Sequence, residues 1–309
     1  MRGRTRLQET HADRNRKLTV PMRERRQARM LVATFGTLLA AANIRLVLTS
    51  CRSTQNTSSF VRALILSLTF GLLAWVLRAA TPAAALVGGM ICLLLSANVV
   101  LPGDSPAHSG LIPLLLLFGL TFPATRLGRG RKQGLGLAED AHGRNAAQVV
   151  ANLGVAGTIA AAANWPALSQ LAPGRSSGGS AVWPTLLVAA LAEATADTLS
   201  SEIGQAIGGT PWLITRLKRV APGTDGGVSV LGTVAGLAGA ASISLAGMAA
   251  LRLTSRAALI AFLAGGAGLL FDSYLGATVE RRGWLGNDMV NFASTVFSVA
   301  VALGLCSLF

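Results

Sequence analysis

The chain of 309 residues is 51% hydrophobic and only 13% charged, against about 25% charged residues in a soluble domain. Several near-uncharged runs approach the roughly 20 residues that span a bilayer core, so the composition excludes an ordinary water-soluble fold and implies a polytopic membrane protein. The net charge is +14, half of it in residues 1–29, where ten Lys and Arg face Glu9, Asp13 and Glu24. Beside a membrane such a segment reads as a basic cytoplasmic tail, not as a nucleic-acid arm.

In chain order, residues 1–29 read as a disordered tail. Residues 30–59 hold a weak span at 31–50, interrupted by Arg45, and a polar linker; residues 60–309 form the main transmembrane domain. Further spans read at about 60–79, 83–101, 109–125, 145–163, 182–203, 228–251, 256–279 and 288–308. Pro82, Pro102, Pro106, Pro173 and Pro222 punctuate the gaps, and residues 172–180 read as an outside loop without chemistry. The expected fold is an all-α bundle of eight or nine transmembrane helices, joined through its many Ala and its 35 Gly residues. Cys51, Cys92 and Cys306 are scattered without paired spacing, which argues against a disulfide framework or a zinc site. Alternating nine spans across the bilayer puts the tail, residues 126–144, 204–227 and 280–287 on one face. The excess of Lys and Arg there assigns that face to the cytoplasm.

Chemistry concentrates on that face. Glu193 and Asp197 stand one turn apart in an otherwise apolar helix and, at about 100° per residue, share a stripe with Ser200, Ser201 and Gly204. A carboxylate costs about 2.5–3.5 kcal/mol at the centre of a membrane helix, so two on one stripe require a cation, a cavity or polar partners. The cations Arg216, Lys218 and Arg219 follow, then the run Pro222-Gly223-Thr224-Asp225-Gly226-Gly227, which reads as a phosphate cradle. Arg144, Gln148 and Asn152 form a ladder at steps of four. Asp272 lies within an apolar span between Gly268 and Gly276, where a backbone or ligand can approach closely. Asn287, Asp288 and Asn291 open the last helix. His142 is a candidate phosphate contact, while His11 and His108 form no catalytic arrangement.

The segments GRNAAQVVAN, AEATADTLSSEIG, PGTDGGVSVLGT, FDSYLGATVE and NDMVNFAST, in that order from about residue 75 onward, resemble an integral-membrane family that began as a domain of unknown function. It includes the plant phytyl-phosphate kinase and a vertebrate transmembrane relative. The resemblance implies site roles for Glu193, Asp197, Ser201 and Glu202 on the acidic helix and for Gly223, Thr224, Gly226 and Gly227 in the glycine loop. It implies the same for Asp272, Ser273 and Gly276, for Asn287, Asp288 and Asn291, and for Gln148 and Asn152. The chain departs at Glu280, where the family pattern implies Gln, and this adds negative charge near the site.

The expected function is therefore Mg²⁺-assisted phosphorylation of a prenyl or phytyl monophosphate to the diphosphate, with CTP or another nucleoside triphosphate as donor. Asp197, Asp272 and Asp288 are expected to hold metal; Arg144, Arg216, Lys218 and the glycine loop are expected to hold phosphates. The rival expectation is a transporter or flippase of an anionic lipid or metabolite that uses the same acids for coupling.

Overall fold

The computed structural model describes residues 11–51, 57–97, 106–137, 143–165 and 182–308. Ten α-helices appear among them: α1 (His11–Cys51), α2 (Thr57–Val76), α3 (Pro82–Ala97), α4 (Leu111–Arg126), α5 (Arg129–Gly134), α6 (Ala146–Ala163), α7 (Val182–Ile207), α8 (Val230–Leu251), α9 (Ser255–Leu275) and α10 (Asn287–Leu308). Among the described residues six segments are long and apolar enough to cross a membrane: Met22–Cys51, Thr57–Val76, Ala146–Ala163, Val230–Leu251, Ser255–Glu280 and Asn287–Leu308. Helices α3 and α4 are shorter apolar helices. The all-α membrane bundle expected from the sequence is what the chain forms.

The helix ends follow local chemistry. Asn145 and Gln148 form a capping box at the start of α6, each side chain satisfying the other's backbone N–H. Ser229 and Thr254 cap α8 and α9 by accepting from Gly232 N–H and Ala257 N–H. Helix α2 ends in a Schellman motif: Ala79 N–H donates to Ala74 O and Arg78 N–H to Trp75 O. Arg78 holds the left-handed position (φ 53°) that glycine ordinarily fills.

Helix α7 is the central post, packed against α4, α6, α8, α9 and α10, and nearly every residue from Thr185 to Leu199 is buried. Ala and Gly make such proximity feasible. A Cβ on Gly265, for instance, would come within 2.9 Å of Ala192 Cβ.

The connections after α2, α4, α7 and α9 meet at one end of the bundle. Arg144 N–H donates to Ala79 O and Thr81 N–H to Arg144 O. Gly128 abuts Ala206, Gly223 abuts Leu137, and Gly226 abuts Ala277. The amino-terminal segment joins them through Arg23 and Gln27. Residues 11–29 are the first turns of α1, with Arg23 donating to Gly283 O and Gln27 Nε2 to Trp284 O. At the other end Arg45 lies over the Trp165 ring (4.4 Å), next to the end of α6. Cys51, Cys92 and Cys306 are free thiols. His142 and residues 172–180 lie outside the described residues.

Candidate functional site

The polar chamber is built from α7 outward. The three-residue steps of an α-helix carry Asp197, Ser200, Ser201 and Gly204 along one stripe, and all four line a cavity of about 330 Å³. Opposite them α9 contributes Asp272, Ser273 and Gly276, α10 contributes Asn287 and Asn291, and α6 contributes Gln148 and Asn152, with Arg144 just ahead of it. Gly223, Thr224, Asp225, Gly226 and Gly227 close one side. Helix α9 passes into a π-helical turn, Gly276–Glu280, a widening that recurs at functional sites; it brings Glu280 to the same wall.

Two carboxylates meet at the centre. The Asp197 and Asp272 carboxyl groups face each other within hydrogen-bonding reach, and Arg144 lies within electrostatic reach of Asp197. Arg144 also donates to Thr198 Oγ1 (3.4 Å). Ser294 Oγ lies 3.2 Å from Asp272 Oδ2 and shares its single proton between that oxygen and the nearer Glu193 carboxylate. Carboxylates that close need a proton or a cation between them. Glu193 has a different part. It is 1% exposed and accepts from Ser294 (2.7 Å) and Thr295 (2.6 Å), so α10 hydroxyls occupy both its oxygens. Gly268 makes room for it, because a Cβ there would meet the Glu193 side chain at 2.5 Å. Glu193 thus ties α7 to α10 beneath the chamber, outside its lining.

Not every expected site residue reaches the chamber. Asp288 is not in its lining; it lies on the neighbouring stripe of α10, within electrostatic reach of Glu24 in α1. Of the expected metal trio, Asp197 and Asp272 line the chamber and Asp288 does not. Among the described residues no group of three His, Cys, Asp or Glu side chains is placed to hold a metal ion. Two carboxylates still suit Mg²⁺, which binds through one or two of them with substrate phosphates and water completing the shell.

The basic clamp is likewise displaced. Arg216 and Lys218 are exposed on the turn between the short strands β1 (Trp212–Leu213) and β2 (Gly227–Val228), and neither lines the chamber. Glu202 does line it, but bonds to Lys132. Lys132 is 1% exposed and also donates to Ala124 O and Thr125 O, both at 3.2 Å. The glycine loop, whose Gly223, Thr224, Gly226 and Gly227 line the chamber, also packs as a clasp. Gly227 N–H is committed to Thr224 O (2.8 Å), and Gly226, at φ 73°, presses on the Ala277 backbone where any Cβ would collide. Asp225, on this loop, has its carboxyl raised above the usual range by the protein around it, with the nearby Arg281 charge pulling partly back.

A second, more apolar cavity of about 220 Å³ lies alongside, between α2, α3, α4 and α6. Its walls include Ala74, Gly88, Leu114, Leu117 and Phe118; Arg78, Arg126, Arg129 and Arg144 reach it. Arg144 and Asn152 line both cavities.

The model of the family described as Integral membrane protein DUF92 matches residues 65–299. An uncharacterized membrane protein of Synechocystis is 31% identical over 198 residues, covering 63% of this chain and 73% of the relative. Another, from Methanocaldococcus jannaschii, is 42% identical over 110 residues, covering 35% and 45%. Protein VTE6, chloroplastic, of Arabidopsis thaliana is 29% identical over 201 residues, covering 63% of this chain and 58% of the relative. No solved structure matches the chain.

Proposed function

Because the chain belongs to the DUF92 family of integral membrane proteins, we propose that it is a membrane phosphotransferase that converts a prenyl monophosphate to the diphosphate with CTP or another nucleoside triphosphate. The observation that carries this reading is the facing pair Asp197 and Asp272, from two helices, with Arg144 beside them in one chamber. Phosphoryl transfer asks a protein mainly for positioning and charge neutralisation, and a chamber with this donor set supplies both. Asp197 and Asp272 would hold Mg²⁺, which lowers the repulsion among phosphate oxygens. Arg144 would bind phosphate oxygens, and Asn152, Asn287 and Asn291 offer amides to sugar or phosphate.

An oxygen of the lipid monophosphate attacks the terminal phosphorus of the nucleotide. The new P–O bond forms as the bond to the nucleoside diphosphate breaks, and that electron pair leaves with the diphosphate. The attacking oxygen is already anionic, so no general base is required. The excess of Lys and Arg in the loops at this end supports a cytoplasmic orientation under the positive-inside rule, which would give the site access to nucleotide. The gathering of acids and cations at one end favours chemistry there over carriage through the membrane.

The test is direct. Purified protein given geranylgeranyl or phytyl monophosphate, CTP and Mg²⁺ should form the diphosphate, and chelation should stop it. Absence of turnover with every prenyl phosphate and nucleoside triphosphate would overturn the proposal.

A further inference from the structure

The apolar chamber has two features that the phosphotransfer chemistry alone does not explain. First, its wall is divided by chemistry along its length. Ala74, Gly88, Leu114, Leu117 and Phe118 form the inner part, and three arginines, Arg78, Arg126 and Arg129, crowd the mouth. Among the described residues no carboxylate forms an ion pair with any of the three. Arg126 is fixed there by a hydrogen bond to Leu77 O (2.7 Å) and by lying over the Phe122 ring (3.8 Å). Second, Arg78 occupies a left-handed backbone position (φ 53°) at the end of α2, a conformation that glycine adopts without penalty and arginine does not. The position is the Schellman cap of α2, and the arginine placed there lines the cavity.

An apolar pocket with a cationic mouth fits a single-chain amphiphile whose head is an anion. The shared wall identifies where that head goes: Arg144 and Asn152 line this cavity and the polar chamber alike. We propose that the chamber between α2, α3, α4 and α6 is the seat of the acceptor lipid. The carbons nearest its head lie along Leu114, Leu117 and Phe118, its monophosphate lies under Arg78, Arg126 and Arg129, and Arg144 is where it meets the nucleotide. The inference rests on the phosphotransfer reading and deepens it. At about 220 Å³ the cavity is below the usual 300–1,000 Å³ of a ligand pocket, so it takes the head-proximal part of the chain. Phe70 of α2 and Phe118 of α4, in edge-to-face contact with ring centroids 5.5 Å apart, close one wall of the cavity.

The experiment measures binding of radiolabelled geranylgeranyl monophosphate to the full-length protein in detergent without nucleotide, with geranylgeraniol as the headless competitor. CTP binding is followed separately by thermal protection. Two variants are compared with the parent. Arg78→Gly removes a cation while giving the turn its preferred residue, so it should unfold at or above the parent's temperature. Leu117→Trp fills the inner wall. Both should weaken lipid-phosphate binding at least tenfold, raise KM for the lipid more than they change kcat, and leave CTP protection unaltered; geranylgeraniol should compete poorly. Parent-like affinity in both variants, with the parent turning over substrate, would overturn the seat and leave the kinase reading standing. Loss of CTP protection along with lipid binding in Arg78→Gly would also overturn it. A parent that neither binds nor phosphorylates the lipid phosphate would remove both readings.

Discussion

Lys132 offers the sharpest test of how the site is supported. Its ammonium is buried, bonded to Glu202 and donating to the carbonyls of Ala124 and Thr125. Replacing it with methionine keeps the volume and strips every one of those bonds. Removing one partner of a buried pair costs about 3–5 kcal/mol, because the other charge is left without compensation, whereas replacing both with neutral groups is often close to neutral. At about 2 °C per kcal/mol for a chain of this size, Lys132→Met should unfold about 6–10 °C below the parent in detergent. Lys132→Met/Glu202→Gln should recover most of that loss. Tryptophan fluorescence follows unfolding, and the double-mutant cycle isolates the pair. The double variant should also retain phosphotransfer at a temperature where it is folded, since Glu202 is engaged in holding α5 to α7. Parent-like unfolding of Lys132→Met, or a double variant as unstable as the single, would refute the reasoning.

Three further outcomes are expected. Asp272→Asn should lower turnover by about 10²–10³, the scale of losing one preorganised electrostatic group at a reacting centre; Asp288→Asn, off the chamber, should cost less than tenfold in the same radiometric assay. Gly226→Ala should destabilise by about 2–4 kcal/mol, from a left-handed backbone position and a collision with Ala277, read as a lower unfolding temperature. Asp225 has a raised carboxyl pKa, so the fold prefers its protonated form and its unfavourable effect grows as pH rises above the ordinary aspartate range. Asp225→Asn should therefore unfold at a higher temperature than the parent at pH 7, with the gap closing toward pH 4.

Much of the site was legible because helical periodicity and the cost of membrane carboxylates are local properties. Glu193 and Asp197 one turn apart announced a polar stripe, and Gly268 and Gly276 around Asp272 announced close approach. The structure fills that space with Glu193 at one glycine and the Gly226 backbone at the other. What sequence could not supply was which of several similar charges the fold turns inward. Lys132 sits in a run of loop cations and looks like its neighbours; only the contact of α5 with α7 buries it. Lys218 looked like a clamp for the opposite reason, being near the glycine loop in sequence while its side chain points to solvent. The loop itself reads as a cradle because glycines that relieve a positive φ and glycines that admit a phosphate are the same letter. Ser294 and Thr295, the partners of Glu193, were missed although the spacing from Asn291 places them on its face of α10. Hydroxyls in membrane helices are usually satisfied by their own backbone, so nothing marked these two.

The short seam between Arg144 and the α2–α3 turn has a mechanical meaning. Two main-chain hydrogen bonds, Arg144 N–H to Ala79 O and Thr81 N–H to Arg144 O, stitch the residue at the partition to the same few atoms that carry Arg78. The main chain that ends α2 thereby fixes Arg144 at the wall the two cavities share.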